Sequence, residues 1–265
     1  MSSVEKTQGT QAKGQGSKFY FLGLACMLTF WGIFTFSGAI APQFFASPWD
    51  TVSELAALLL QGNVLSDAAT SIARLFAGFI LAMAVAIPVG ILSGSSRKLS
   101  NFFEPLLSLF RYIPSAAIVP ISILWLGLGE EQKYFIVFFG TLPFATLYIS
   151  NAAASIEKEY LYVAYSLGAS WHDALIKVVF PKILPDLVEI IRIELGAAWA
   201  IVIMAEVVSA TSGLGHRLIL AQRFLHTGEL FGLLLLTLLI GLVMDKSLRF
   251  ANASLFGWAE KNRVI

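Results

Sequence analysis

An all-α integral membrane protein with about six transmembrane helices is predicted by three observations. Hydrophobic residues make up 57% of the 265 positions and charged residues 13%, with a mean hydropathy of +0.76, far from the balance of a soluble domain. Windows of about 20 apolar residues, the length that crosses the hydrocarbon core, fall at 19–41, 72–94, 102–128, 134–156, 187–209 and 230–250. Basic residues are distributed unevenly between alternate connections, which sets orientation. With the N-terminus inside, Lys6, Lys13, Lys18, Arg97, Lys98, Lys158, Lys177, Lys182, Lys246, Arg249, Lys261 and Arg263 are cytosolic, against Lys133, Arg217 and Arg223 outside.

Residues 1–18 are rich in Gln, Gly, Ser and Lys; with almost nothing apolar to offset the entropy of ordering, they read as a disordered cytosolic tail. The run from Phe19 to Ile40 is too long for a secretory signal core and ends without a small-residue cleavage pattern, so it reads as a retained anchor. Cys26 within it reads as a small buried hydrophobe, and a lone cysteine permits no intrachain disulfide. Residues 19–65 thus form a first membrane helix and an external segment, in which the short apolar stretch Leu55–Leu60 lies along the interface or packs on the bundle. The chain shows no sharp domain boundary and no repeat. The least regular window is 102–128, which holds Glu104, Arg111, Pro114 and Pro120. A formal charge of +1 offers no basic face for nucleic acid.

Residues 157–185, EKEYLYVAYSLGASWHDALIKVVFPKILP, form a long polar run in a protein that otherwise keeps its connections short. Glu157–Leu167 reads as helix, Gly168 breaks it, and Ser170 caps a second helix over 171–180. Pro181 and Pro185 are expected to end that helix, with Asp186 and Glu189 starting the next span through a capping box.

Here the sequence resembles the membrane-spanning subunits of binding-protein-dependent ABC importers. Their cytosolic signature is Glu-Ala-Ala, three residues, Gly, nine residues, an aliphatic residue, one more, then Leu-Pro. Gly168, Val178, Phe180 and Pro181 fall at those spacings and Ala164 matches the second alanine, while Tyr162 and Val163 stand where the family has Glu and Ala. The stretch from Arg111 to Glu130 resembles the proline-interrupted helix of the nitrate, sulfonate, taurine and bicarbonate branch. Ser212–Ala221 resembles its external Gly-x-Gly loop. The likeness spans residues 66–257, leaving 258–265 as a cytosolic tail.

The resemblance implies a type I importer fold in the bacterial cytoplasmic (inner) membrane. It also implies a docking role for Tyr162, Ala164, Gly168, Ala169, Ser170, Val178, Phe180 and Pro181, against two ATPase subunits that bind ATP and magnesium. A second permease subunit, an identical copy in the simplest case, and an external solute-binding protein touching Gly213 and Gly215 complete the expected assembly. No cofactor is expected in this chain itself. A glycine lets helices approach, and prolines fix the exit direction of such a projection.

Ionisable groups within spans default to functional hypotheses. Glu189, Arg192, Gly196, Trp199, Ile203 and Glu206 recur at three- and four-residue steps and form one stripe facing the bundle or a wet pathway. Arg111, Arg192, Trp199 and Glu206 are the pathway candidates. Against that, Glu189 pairs locally with Arg192, Arg111 pairs with Glu104 on the same helical face, Glu194 points to the opposite face, and Arg74 snorkels to the external interface.

No Gly-x-x-x-x-Gly-Lys-Ser/Thr loop occurs, so energy from ATP requires another subunit. His172, His216 and His226 have no ligand spacing and the acids no metal cluster. The expected function is a non-catalytic permease subunit for a small anionic solute. An ion-coupled secondary transporter is the alternative, disfavoured because one broken helix lacks a matching second. A membrane protease would need a serine with a distant histidine; Ser212 and His216 are too close in sequence.

Overall fold

The computed structural model describes residues 3–38, 40–41 and 43–260, with side chains from Phe19 to Phe256 apart from Tyr20 and Gln61. The expectation of a disordered tail over 1–18 falls outside the described side chains. All regular structure among the described residues is helical: α1 (Ser3–Phe36), α2 (Pro48–Gln61), α3 (Asn63–Ser95), α4 (Arg97–Arg111), α5 (Ser115–Leu126), α6 (Glu130–Ala154), α7 (Lys158–Ser166), α8 (Trp171–Ala174), a π-helical turn (Leu175–Val179), α9 (Phe180–Ser209), α10 (Leu214–Arg223) and α11 (Thr227–Glu260).

Two compact units emerge where the sequence shows no sharp boundary. One comprises residues 1–62 and 220–236, the other 63–219 and 237–265. In the first, Ser47 starts α2 with a reciprocal cap: the Asp50 amide donates to Ser47 Oγ (3.1 Å) and the Ser47 amide donates to the Asp50 carboxylate (3.3 Å). The segment that the sequence places outside therefore packs rather than floats. Leu55 and Thr51 meet Gly232, where a Cβ would come within 3.1 Å of the Leu55 amide nitrogen. Trp31 donates to the Ala46 carbonyl (3.0 Å), and Phe45 meets Phe231 edge-on at 5.4 Å. Cys26 is exposed on α1 rather than buried, because it projects from a helix whose apolar surface has no protein neighbour there.

The second unit is organised by α3 against α6. Gly78, Ala82, Ala86, Gly90 and Gly94 recur every fourth residue on α3, the small-residue seam that lets membrane helices approach closely. A Cβ at Gly78 would sit 2.6 Å from Val137 Cβ, and one at Gly90 would sit 2.7 Å from Ile149 Cβ. Helix α9 completes the core with Ala198, Val202 and Ala205, all fully buried.

The 102–128 window is not one straight span: α4 and α5 meet at 93°. Pro105 and Pro120 lie inside helices, whereas Pro114 disfavours helical geometry at Ile113 and makes the corner. By length and composition α3, α6 and Thr227–Phe256 of α11 can each cross a bilayer, and the bent pair makes a fourth span. The six expected are reached only by adding α1, whose apolar part is Phe21–Phe36, and α9, which is long enough but carries buried charge.

Candidate functional site

The projection made by α7 and α8 is built by local rules. Helix α7 ends at Gly168, which adopts φ +86°. The Ala169 amide donates to the Ala164 carbonyl (3.0 Å) and the Gly168 amide to the Tyr165 carbonyl (3.0 Å). This is the paired C-terminal closure that requires a left-handed residue, and it uses Ala164, Gly168 and Ala169, three of the motif positions. Ser170 then starts α8: the Asp173 amide donates to Ser170 Oγ (3.1 Å) and Ser170 Oγ donates to the Asp173 carboxylate (2.5 Å). Lys177 donates to the other Asp173 oxygen (2.6 Å); that ammonium first, and the Ser170 hydroxyl second, hold the Asp173 carboxyl down to about 2. Sequence reasoning misses Asp173, although Ser-x-x-Asp before an apolar run announces such a cap.

The prolines do not end this helix, contrary to the sequence expectation, and Asp186 and Glu189 start no new one. Helix α8 runs through the π turn into α9 and on to Ser209. The Phe180 amide donates to the Leu175 carbonyl, five residues back. Pro181 follows in the first turn of α9, where a missing N–H costs little. The short helix of the polar run and the long helix α9 are thereby joined as one rod.

Around this rod the surface is apolar and open. Tyr162 is 63% exposed and Leu167 84%. Tyr160, Val163, Ala164, Leu167 and Val178 line a groove of about 490 Å³, beside which the Lys182 ammonium sits 4.3 Å from the Tyr160 ring centroid. Phe180 turns away to a second groove with Trp171, Leu175 and Pro88, and Pro181 is exposed.

The opposite end of the second unit is a buried polar joint. Arg74 is 2% exposed. Its Nε and Nη2 donate to the two Glu130 oxygens (2.6 Å each), its Nη1 to Glu206 (2.7 Å), and both terminal nitrogens to Ser212, at the carbonyl (2.8 Å) and hydroxyl (2.9 Å). Glu206, fully buried, also accepts from Ser71 Oγ (2.8 Å) and the Gly215 amide (2.9 Å). Asp67 accepts from the Gly213 amide (2.8 Å) and from Arg217. Lys133 caps the carbonyls of Leu128, Gly129 and Ser209 (2.6, 3.1 and 3.1 Å). Gly213 and Gly215 are therefore both embedded in this joint.

Three comparisons place this architecture. Residues 86–255 match the sequence profile of the family described as binding-protein-dependent transport system inner membrane component. The chain belongs to this family of ABC importer permeases. A Brucella abortus (strain 2308) protein named "Probable ABC transporter permease protein" is 32% identical over 94% of this chain and 99% of its own. The taurine transport system permease protein TauC of Escherichia coli K12 is 27% identical over 89% of this chain and 87% of its own. An inward-facing structure of the MetNI methionine ABC transporter superposes with a TM-score of 0.63 at 20% identity, covering 74% of this chain and 95% of that one. The fold is that of an importer permease.

In this permease the pathway candidates occupy unlike surroundings. Arg192 pairs with Glu189, as local spacing predicts, at 3.0 and 2.5 Å, and also with Asp245 of α11. Trp199 is buried and donates to the Thr237 carbonyl (3.1 Å). The α9 stripe is thus not uniform, since Gly196 is exposed while Trp199 and Glu206 are enclosed by protein. Glu194 is buried on α9.

Two further sequence expectations are corrected. Arg74 does not snorkel, because two carboxylates and the Ser212 carbonyl draw it inward. Arg111 makes no ion pair with Glu104 among the described contacts; it is exposed at the end of α4, its guanidinium 5.5 Å from the Tyr112 ring centroid. Among the described residues no group of three or more His, Cys, Asp or Glu side chains could hold a metal ion.

Proposed function

We propose that this permease forms half of a transmembrane path for a small anion of the sulfonate, taurine, nitrate or bicarbonate type. An external solute-binding protein delivers the solute, and ATP hydrolysed with magnesium by two ABC ATPase subunits drives passage. A second permease subunit, an identical copy in the simplest assembly, completes the path. Both termini and the α7–α8 projection face the cytosol of a bacterial cell, and the joint that encloses Gly213 and Gly215 lies at the external end.

The observation that carries this reading is the α7–α8 projection. It presents Tyr162, Val163 and Leu167 to solvent beside a shallow groove, in the segment where the family's docking motif falls. Solvated apolar side chains on a capped, rigid turn are suited to a partner's groove. The rod from Trp171 to Ser209 gives nucleotide-driven movement there a direct route into the bilayer. For the solute, Arg111 is the supporting feature: Arg74, Arg192 and Arg217 are committed to carboxylates, whereas Arg111 is exposed at the α4–α5 corner. An exposed cation there favours an anion in transit, and Arg192 and Trp199 lie on the helix that the projection would move. The taurine named for TauC is a sulfonate, in keeping with that charge.

The test is uptake by liposomes carrying the permease with and without its ATPases. Uptake of a sulfonate that requires ATPases and is lost in Gly168→Val is the expected result. Uptake driven by a proton or sodium gradient without ATPases would overturn the reading.

A further inference from the structure

The corner between α4 and α5 lies beside the middle of α6. A Cβ on Gly140 would sit 2.6 Å from Ser115 Oγ, and the Phe110 and Phe139 rings meet edge-on at 5.8 Å. In a helix of 25 residues that begins at Glu130, Gly140 is about 15 Å from that end, half the thickness of a hydrocarbon core of about 30 Å. The other end of α4 follows α3 directly. There Gly94 packs on the last turn of α6, where a Cβ would sit 2.8 Å from Ala153 Cβ. Helix α4 therefore runs from one edge of the bilayer toward its middle.

Along it Arg97, Asn101, Glu104, Ser108 and Arg111 recur at steps of four and three residues, which aligns them in one stripe. The helix packs on α3 and α6 with Leu99, Phe103 and Leu107, four residues apart, half-buried. Phe102, Leu106 and Leu109 are exposed and suit lipid chains or an apolar neighbour. The stripe suits neither. Arg97, Asn101 and Arg111 are exposed and Glu104 and Ser108 half-buried, and among the described residues none of these five side chains has a hydrogen-bond or ion-pair partner. Ionisable groups inside a bilayer face a packed interior or water; with nothing packed over them, these face water. At the inner end of the stripe, Arg111 presents an unused guanidinium fork, the shape that matches an oxyanion.

We propose that Arg97, Asn101, Glu104, Ser108 and Arg111 line the water-filled half of the path between the α4–α5 corner and the Arg97 edge, with Arg111 holding a sulfonate or a like oxyanion. This site presupposes the reading that the permease carries such an anion. Glu104 lies about 10 Å from Arg111 along the helix, roughly one Debye length, so water in the track screens most of its repulsion of an anion held at Arg111.

The test labels single cysteines in the intact permease–ATPase complex in nanodiscs, with Cys26 replaced by serine, while ATP-driven sulfonate uptake by the unsubstituted complex is measured in liposomes. The probes are a sulfonate-bearing methanethiosulfonate and its trimethylammonium counterpart, each normalised to its rate with a free thiol. Asn101→Cys and Ser108→Cys are expected to react from water, about tenfold faster with the anionic probe. Leu106→Cys, on the far side of the helix, is expected not to react. Adding Arg111→Gln to Ser108→Cys is expected to abolish the anion preference and keep the labelling. Stripe cysteines that react no faster than Leu106→Cys, or an anion preference that is absent or survives Arg111→Gln, overturn the proposal while uptake upholds the permease reading. Absence of ATP-driven sulfonate uptake overturns that reading and the proposal with it.

Discussion

The two ends of the larger unit are stabilised by opposite means. Near Gly168 the turn is closed by hydrogen bonds between residues at most five apart, through a glycine closure and a serine cap, and its apolar side chains are left open. Around Arg74 it is held by side chains separated by 56 to 138 positions in the chain, all polar and almost all enclosed. A locally specified projection keeps its shape when a partner engages it, whereas a long-range joint fixes how whole helices meet. The first suits docking and the second suits register.

Breaking the joint is expected to have the largest effect. Arg74→Ala leaves the Glu206 carboxylate buried without its counter-ion, and the loss of stability is expected at about 3–5 kcal/mol. It would be read as a fall in unfolding temperature in detergent and in membrane yield; an unchanged melt would mean that the ion pair does not hold α3 to α9. Next comes the glycine seam that joins α3 to α6. Gly90→Leu drives a side chain into Ile149 and is expected to cost about 1–3 kcal/mol or more by the same measurement, while Gly196→Ala, with nothing within 4 Å of its added carbon, is expected to be nearly neutral.

Changes on the projection should be smaller in stability and larger in coupling. Gly168→Ala meets no neighbouring atom within 4 Å, so its cost is backbone strain alone, about 1–2 kcal/mol. Reduced uptake per ATP hydrolysed is expected at normal membrane yield. Normal coupling in that variant would show that the left-handed turn is not needed for docking.

The smallest effect is a pH dependence. The Asp173 carboxyl lies below its unfolded value near 3.8, at about 2, so its stabilisation of the α8 start is fully present above the unfolded value and lost as pH falls through the folded one. Amides of 171–174 should exchange faster at pH 2 than at pH 5, after correction for intrinsic rates, and Asp173→Asn should remove that difference.

Much of the projection is legible in the sequence because its determinants are close together: Gly168 ends α7, Ser170 caps α8, and Glu189 meets Arg192 one turn away. The π turn is not, since Pro181 and Pro185 read as terminators to any rule that considers them alone. They are tolerated because the helix widens at Leu175–Val179 and places Pro181 in a first turn. The joint escapes for a different reason. Ser71, Arg74, Glu130 and Glu206 lie on three separate helices, and nothing in their spacing reveals which faces meet.

Hydropathy by itself determined that the chain enters a membrane, and short-range pattern determined where the helices of the polar run begin, because solvent transfer and capping act on single residues and their near neighbours. Only the tertiary structure decided that Arg74 would be buried rather than lipid-facing, that α4 and α5 would turn a corner, and that the Gly213–Gly215 loop would be clamped. Those outcomes depend on which helix faces meet, and the folded chain brings groups more than a hundred residues apart within hydrogen-bonding distance.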